Sequence, residues 1–135
     1  MKDADEIADV VADELGRWLG RGRHMVDALS PGESPRMAEV AFTFLSREDG
    51  RLGTDQRGHL KAAVADELRR QAALGRAGPV VFMTDYGPGE GCHEVGKALG
   101  ISERAWPWKH RIYVKAGEVT TRRGEAAEAI VLRSQ

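Results

Sequence analysis

The stretch Glu90-Gly91-Cys92-His93-Glu94-Val95-Gly96-Lys97-Ala98-Leu99-Gly100-Ile101-Ser102 decides how the rest of the chain is read. Val95 and Leu99 stand four residues apart, so in a helix they share a face. Gly100 can take the left-handed conformation that closes a helix, and Ile101 can then fold back as the apolar contact beyond the cap. Ser102 is a good N-cap for a second segment, with Glu103 in the first turn, where the helix dipole favours an acid. Gly96 has no side chain, so a second helix could approach closely there. A helix, a sharp turn and the start of a second helix are therefore expected.

Working outward, residues 55–74 carry Leu60, Ala63, Val64, Leu68 and Leu74 as a helical stripe, with Thr54 as N-cap and Gly75 and Gly78 as terminators. Pro79-Val80-Val81-Phe82-Met83-Thr84 is a short apolar run of strand formers and reads as a buried strand. Residues 110–115 alternate, with Ile112 and Val114 on one face and Arg111, Tyr113 and Lys115 on the other. Residues 118–123 and 127–133 read as further strands, divided by turns at Ala116-Gly117 and Arg123-Gly124. At the N-terminus, Ile7, Val10, Val11, Leu15, Trp18 and Leu19 recur at helical spacing, with Asp3, Asp5, Glu6, Asp9 and Asp13 toward the polar side. Residues 30–35 break the chain. Ser34 and Pro35 then open a second short helix with Met37, Val40, Ala41, Phe44 and Leu45. Residues 46–58 read as a polar loop or hinge.

The fold class expected from these elements is α+β, in one domain over residues 1–135. A helical extension occupies residues 1–47, and the sheet-bearing part occupies residues 54–135. The C-terminal half is either a small three-stranded antiparallel sheet with helices on one face or a winged-helix-like arrangement. The N-terminal helices either cover that sheet or pair with a second copy to make a homodimer.

Residues 90–102 resemble the first helix and turn of helix-turn-helix DNA-binding domains, where runs such as Glu-Val-small-Lys-Ala-Leu-Gly-Ile-Ser are frequent. The order helix, strand, helix, turn, short helix, strand, hairpin is also that of a winged helix. The resemblance implies a groove-reading helix from Ser102, which Pro107 holds to about one turn, and a wing over residues 115–125. On that footing Ser102, Arg104, Trp108, Lys109 and Arg111 would meet DNA at the short helix and its exit. Arg122 and Arg123 would touch the backbone from the wing. The function implied is that of a small DNA-binding protein, such as a transcription regulator.

Charge distribution bears on that expectation. The chain has a formal net charge of −1, which argues against strong non-specific nucleic-acid binding. Yet seven basic residues fall between Lys97 and Arg123, opposed only by Glu103 and Glu118, whereas residues 1–75 hold eleven basic and fourteen acidic side chains. Nucleic-acid affinity comes from local phosphate contacts, so a basic C-terminal face on a near-neutral protein is workable. Ordinary solvated strand faces would produce the same count. The run Trp106-Pro107-Trp108-Lys109-His110 could stack on bases, or its tryptophans could anchor the turn in the core.

Other chemistries are weaker. Gly91 followed by Gly96-Lys97 has phosphate-loop spacing, but Ala98 lacks the hydroxyl that holds magnesium. Cys92, the single cysteine, sits at an expected helix start, where exposed N–H groups favour a thiolate. A thiol-dependent enzyme would then pair it with His110 or His59, because successive helical residues such as His93 diverge. No spacing matches a zinc pattern, and neither metal nor cofactor is expected. A protein-interaction module that binds no DNA is the main competing class. The 135 residues suit one domain. The lone cysteine excludes an intrachain disulfide and fits a reducing compartment. No apolar run approaches the ~20 residues of a membrane span, and the acidic N-terminus is unlike a secretory signal, so a cytoplasmic protein is expected.

Overall fold

The structure, a computed structural model, describes residues 3–19, 47–48, 51–52, 54–101, 103–107, 109–124 and 128–134. In chain order these form α1 (Ala4–Trp18), β1 (Arg47–Glu48), β2 (Arg51–Leu52), α2 (Thr54–Ala73), β3 (Val80–Met83), α3 (Cys92–Leu99), a 3-10 turn (Glu103–Ala105), β4 (His110–Lys115), β5 (Glu118–Arg123) and β6 (Ile130–Arg133). Strands β3-β4-β5-β6 make a four-stranded antiparallel sheet in that spatial order, one strand more than the small sheet expected, and β1-β2 form a separate pair. The class is α+β, as the sequence predicts.

One apolar core joins all the layers. Ile7, Val11 and Leu15 of α1 and Leu60, Val64 and Leu68 of α2 share it with Cys92 and Val95 of α3 and with Phe82, Ile112, Val114 and Val119 of the sheet. Each such large aliphatic or aromatic side chain contributes about 1.5–3 kcal/mol when fully buried. The apolar stripe of α1 therefore covers the chain's own sheet and is not left for pairing with a second copy. The second N-terminal helix expected from Met37 to Leu45, and the break before it, lie outside the described residues.

Along the α1–α2 seam, Asp13 meets Arg57 at 3.2 Å, Asp9 meets Lys61 at 3.2 Å and Asp5 meets Arg69 at 3.1 Å. The partner falls as the acid rises, which is the signature of antiparallel helices. These pairs are exposed, at about 0–1 kcal/mol each, so they favour a register more than they hold the fold. The loop expected over residues 46–58 is corrected: it contains the β1–β2 pair, with Arg47 opposite Leu52 and Glu48 opposite Arg51, and the first residues of α2.

Strand β3 lies at one sheet edge, and its outward backbone groups are capped. Gln71 Nε2 donates to the Val81 carbonyl at 2.9 Å, and the Val81 N–H donates to Gln71 Oε1 at 3.1 Å. Two residues on, the Met83 N–H donates to the Glu90 carbonyl at 2.9 Å, and the Gly89 N–H donates to the Met83 carbonyl at 2.8 Å. An edge closed in this way offers no template for adventitious strand pairing. Gln71 is itself fixed by Glu67, whose carboxylate accepts from Gln71 Nε2 at 2.8 Å and from Arg70 Nε at 2.6 Å.

The turn after α3 forms as the spacing predicts. Gly100 is left-handed at φ 71°, ψ 29°, and the Ile101 N–H donates to the Gly96 carbonyl at 2.9 Å. Ile101 folds back into the core. Beyond it the chain makes a single 3-10 turn, Glu103–Ala105, ending at the buried Trp106. Gly96 admits the Trp106 ring and not the second helix expected there: a Cβ at this position would sit 3.1 Å from Trp106 Cζ2. Of the stretch that the resemblance makes a wing, the described residues 115–124 hold the end of β4, a tight turn in which Ala116 and Gly117 take φ 51° and 82°, and β5.

Candidate functional site

The two faces of the sheet have different chemistry because side chains alternate along β4 and β5. His110, Ile112 and Val114 of β4 and Val119 and Thr121 of β5 are buried, while Arg111, Tyr113, Thr120 and Arg122 are half-buried or exposed.

On the inward face, Glu14 projects from α1 into a polar cluster whose other members lie far away in sequence. Its Oε2 accepts from His110 Nε2 at 2.8 Å, from Thr121 Oγ1 at 3.1 Å and from Arg123 Nε at 2.8 Å, while Oε1 accepts from Arg123 Nη2 at 2.7 Å. A carboxylate only accepts, so the His110 proton lies on Nε2. The buried Nδ1 meets no hydrogen-bonding group among the described residues. The Arg123 guanidinium also lies over the Trp18 ring, 5.5 Å from its centroid. Burial pushes the Glu14 carboxyl upward, but hydrogen bonds from Arg123 and His110 outweigh it and hold the group at about 2, against an ordinary 4.5. Glu14, His110 and Thr121 are each at most 3 % exposed, so the cluster is closed to substrate and clamps α1 to the sheet.

That geometry corrects one expected contact. Arg123 shares the parity of Val119 and Thr121 and points inward, where its planar fork is taken bidentately by Glu14, so it does not reach outward to a nucleic-acid backbone. Lys109 is likewise held: its backbone is left-handed at φ 51°, its ammonium lies 3.6 Å from Asp85 with the side chain only 15 % exposed, and it sits 5.4 Å from the Tyr86 ring centroid. Ser102 and Trp108 lie outside the described residues. For Arg104 only the backbone is described, in the 3-10 turn.

On the outward face, Arg111 and Arg122 stand directly opposite each other, Tyr113 opposite Thr120, and Lys115 opposite Glu118. Strand β3 adds Val81 beside Tyr113 and Met83 beside Arg111, and β6 adds Val131 beside Thr120. Two rows result: Val81, Tyr113, Thr120 and Val131 across four strands, then Met83, Arg111 and Arg122 across three. Of the basic residues expected to meet nucleic acid, the structure brings together Arg111 and Arg122 here, with Lys115 of the same face.

Cys92 opens α3, yet it is fully buried. Burial, assisted by the nearby charge of Glu67, pushes its thiol well above the ordinary range. The expectation of a thiolate promoted by a helix N-terminus is therefore overturned, and His110 already serves Glu14. Iodoacetamide at neutral pH should leave Cys92 unmodified in the native protein and alkylate it only after denaturation; fast native labelling would refute the burial. Among the described residues, no three His, Cys, Asp or Glu side chains gather as a metal site, and no helix is long and apolar enough to cross a membrane. Compared with family models, curated proteins and solved structures, the chain matches none.

Proposed function

We propose that the chain is a small DNA-binding or regulatory protein that meets nucleic-acid phosphates with the outward face of its sheet. The observation that carries this reading is the Arg111–Arg122 pair, two like charges directly opposite on neighbouring strands. Guanidinium forks match phosphate oxygens, so two of them side by side on one sheet face suit a phosphate. Lys115 adds a third cation. The half-motif of residues 90–102 supports the same ligand class but supplies only one 3-10 turn where a groove-reading helix would lie. Contacts of this kind give affinity and register without sequence information.

The test is fluorescence anisotropy of the full chain with a labelled mixed-sequence duplex and with one of its strands alone. With three phosphates neutralised, a fourfold rise in salt should weaken binding roughly 20- to 40-fold. The double variant Arg111→Ala, Arg122→Ala should bind much more weakly with a shallower salt slope. Absence of binding to either oligonucleotide at low salt would overturn the reading. The competing protein-interaction reading is favoured by β6, where Ile130 is 41 % and Val131 57 % exposed; it predicts that the double variant changes nothing.

A further inference from the structure

Resting on that reading, the geometry points to single-stranded nucleic acid as the ligand class, with Tyr113 as a base-stacking platform and Arg111 and Arg122 as the phosphate row beside it. The first argument is width. Four strands set about 4.8 Å apart place the outer strand axes about 14 Å from each other before side chains are added. A B-DNA major groove is about 12 Å wide and admits a helix or a two-stranded ribbon. The sheet is too broad to enter it, and the β4–β5 connection is a tight turn at Ala116 and Gly117, so among the described residues no hairpin arm projects from this face toward base edges.

The second argument is the composition of the face. Tyr113 lies on the central strand β4, flanked across the strands by Val81 and Thr120. These short neighbours leave an aromatic ring as the largest side chain of its row. Arg111 and Arg122 form the next row, two residues along the strand, about 7 Å away. A splayed-out base can stack on the ring while its phosphate lies over the two guanidinium groups. A paired base inside a duplex exposes only its edges and cannot do this. Stacking of this kind tolerates any base, and the salt-sensitive part of the affinity comes separately from the cations.

The experiment titrates the full chain into fluorescein-labelled dT20 and into a blunt 20-base-pair duplex. Binding to dT20 should be at least about tenfold tighter than to the duplex. Tyr113→Leu should weaken dT20 binding about tenfold at an unchanged salt slope and leave the duplex value where it was. Tyr113→Phe, which keeps the ring, should retain dT20 binding, and circular dichroism should show both variants folded. Duplex binding as tight as dT20 binding, or a folded Tyr113→Leu variant that binds dT20 like the parent, overturns the single-strand inference and leaves the phosphate-face reading intact. No binding to either oligonucleotide overturns both.

Discussion

Replacing Glu14 with glutamine should destabilise the domain by about 3–5 kcal/mol, because it leaves the inward-facing Arg123 cation without its counter-charge. For a chain of this length that is a fall in Tm of roughly 10–18 °C. The effect is large for a substitution that changes little volume. The carboxylate receives four hydrogen bonds from three residues on two strands, and an amide can accept on one atom only. Its pH signature is specific. The folded carboxyl is held at about 2 against an ordinary 4.5, so the stabilisation is complete above 4.5 and is lost as pH falls from there through 2. A shift of that size corresponds to about 3 kcal/mol. Denaturant unfolding followed across that window should show the parent converging on Glu14→Gln as the pH drops. A loss below about 1 kcal/mol at neutral pH would show that the clamp does not hold α1. Because isosteric apolar replacement of a buried ion pair is often neutral, Glu14→Leu combined with Arg123→Met should recover part of the loss.

Gly91→Ala should be at least as damaging, with a loss above ~3 kcal/mol or no soluble protein. Gly91 sits at φ 76°, and an added Cβ would collide with the Val81 carbonyl oxygen and lie 2.9 Å from Phe82 Cδ1. That carbonyl cannot yield cheaply, since Gln71 Nε2 pins it and Phe82 belongs to the core. Gly100→Ala is the control. It has a similar φ of 71° but open space around the added carbon, so only the left-handed penalty of about 1–2 kcal/mol applies. Thermal denaturation of the two variants separates collision from backbone strain. Equal losses would mean that the edge of β3 relaxes freely.

The contrast between what the sequence reveals and what it hides follows the range of the forces involved. Residues 110–115 and 118–123 are strands with the expected bounds, because apolar alternation and the Ala116-Gly117 turn are local signals. Helix α1 and the Gly100 cap are legible for the same reason. The alternation also carries the orientation of Arg123: it shares parity with Val119 and Thr121, so it faces inward, whereas Arg122 faces out. Grouping the two arginines as one basic pair obscures that. Glu14 stands three residues after Val11 and seven after Ile7, on the apolar stripe of α1, which is the mark of a buried acid awaiting a distant cation. Its partners, 96 to 109 residues further along, have no local signature. Gln71 reaching the backbone of Val81 is similarly invisible until α2 and β3 are packed together.

The most direct measurement is a 15N–1H NMR titration of the labelled full chain with unlabelled dT20. Amide shifts concentrated on Arg111, Tyr113, Lys115, Thr120 and Arg122, with the amides of α1 and α2 undisturbed, are expected of a nucleic acid seated on the outward sheet face. Saturable shifts centred on the helices or on the β6 edge, or no shifts at low salt, would contradict recognition by that face.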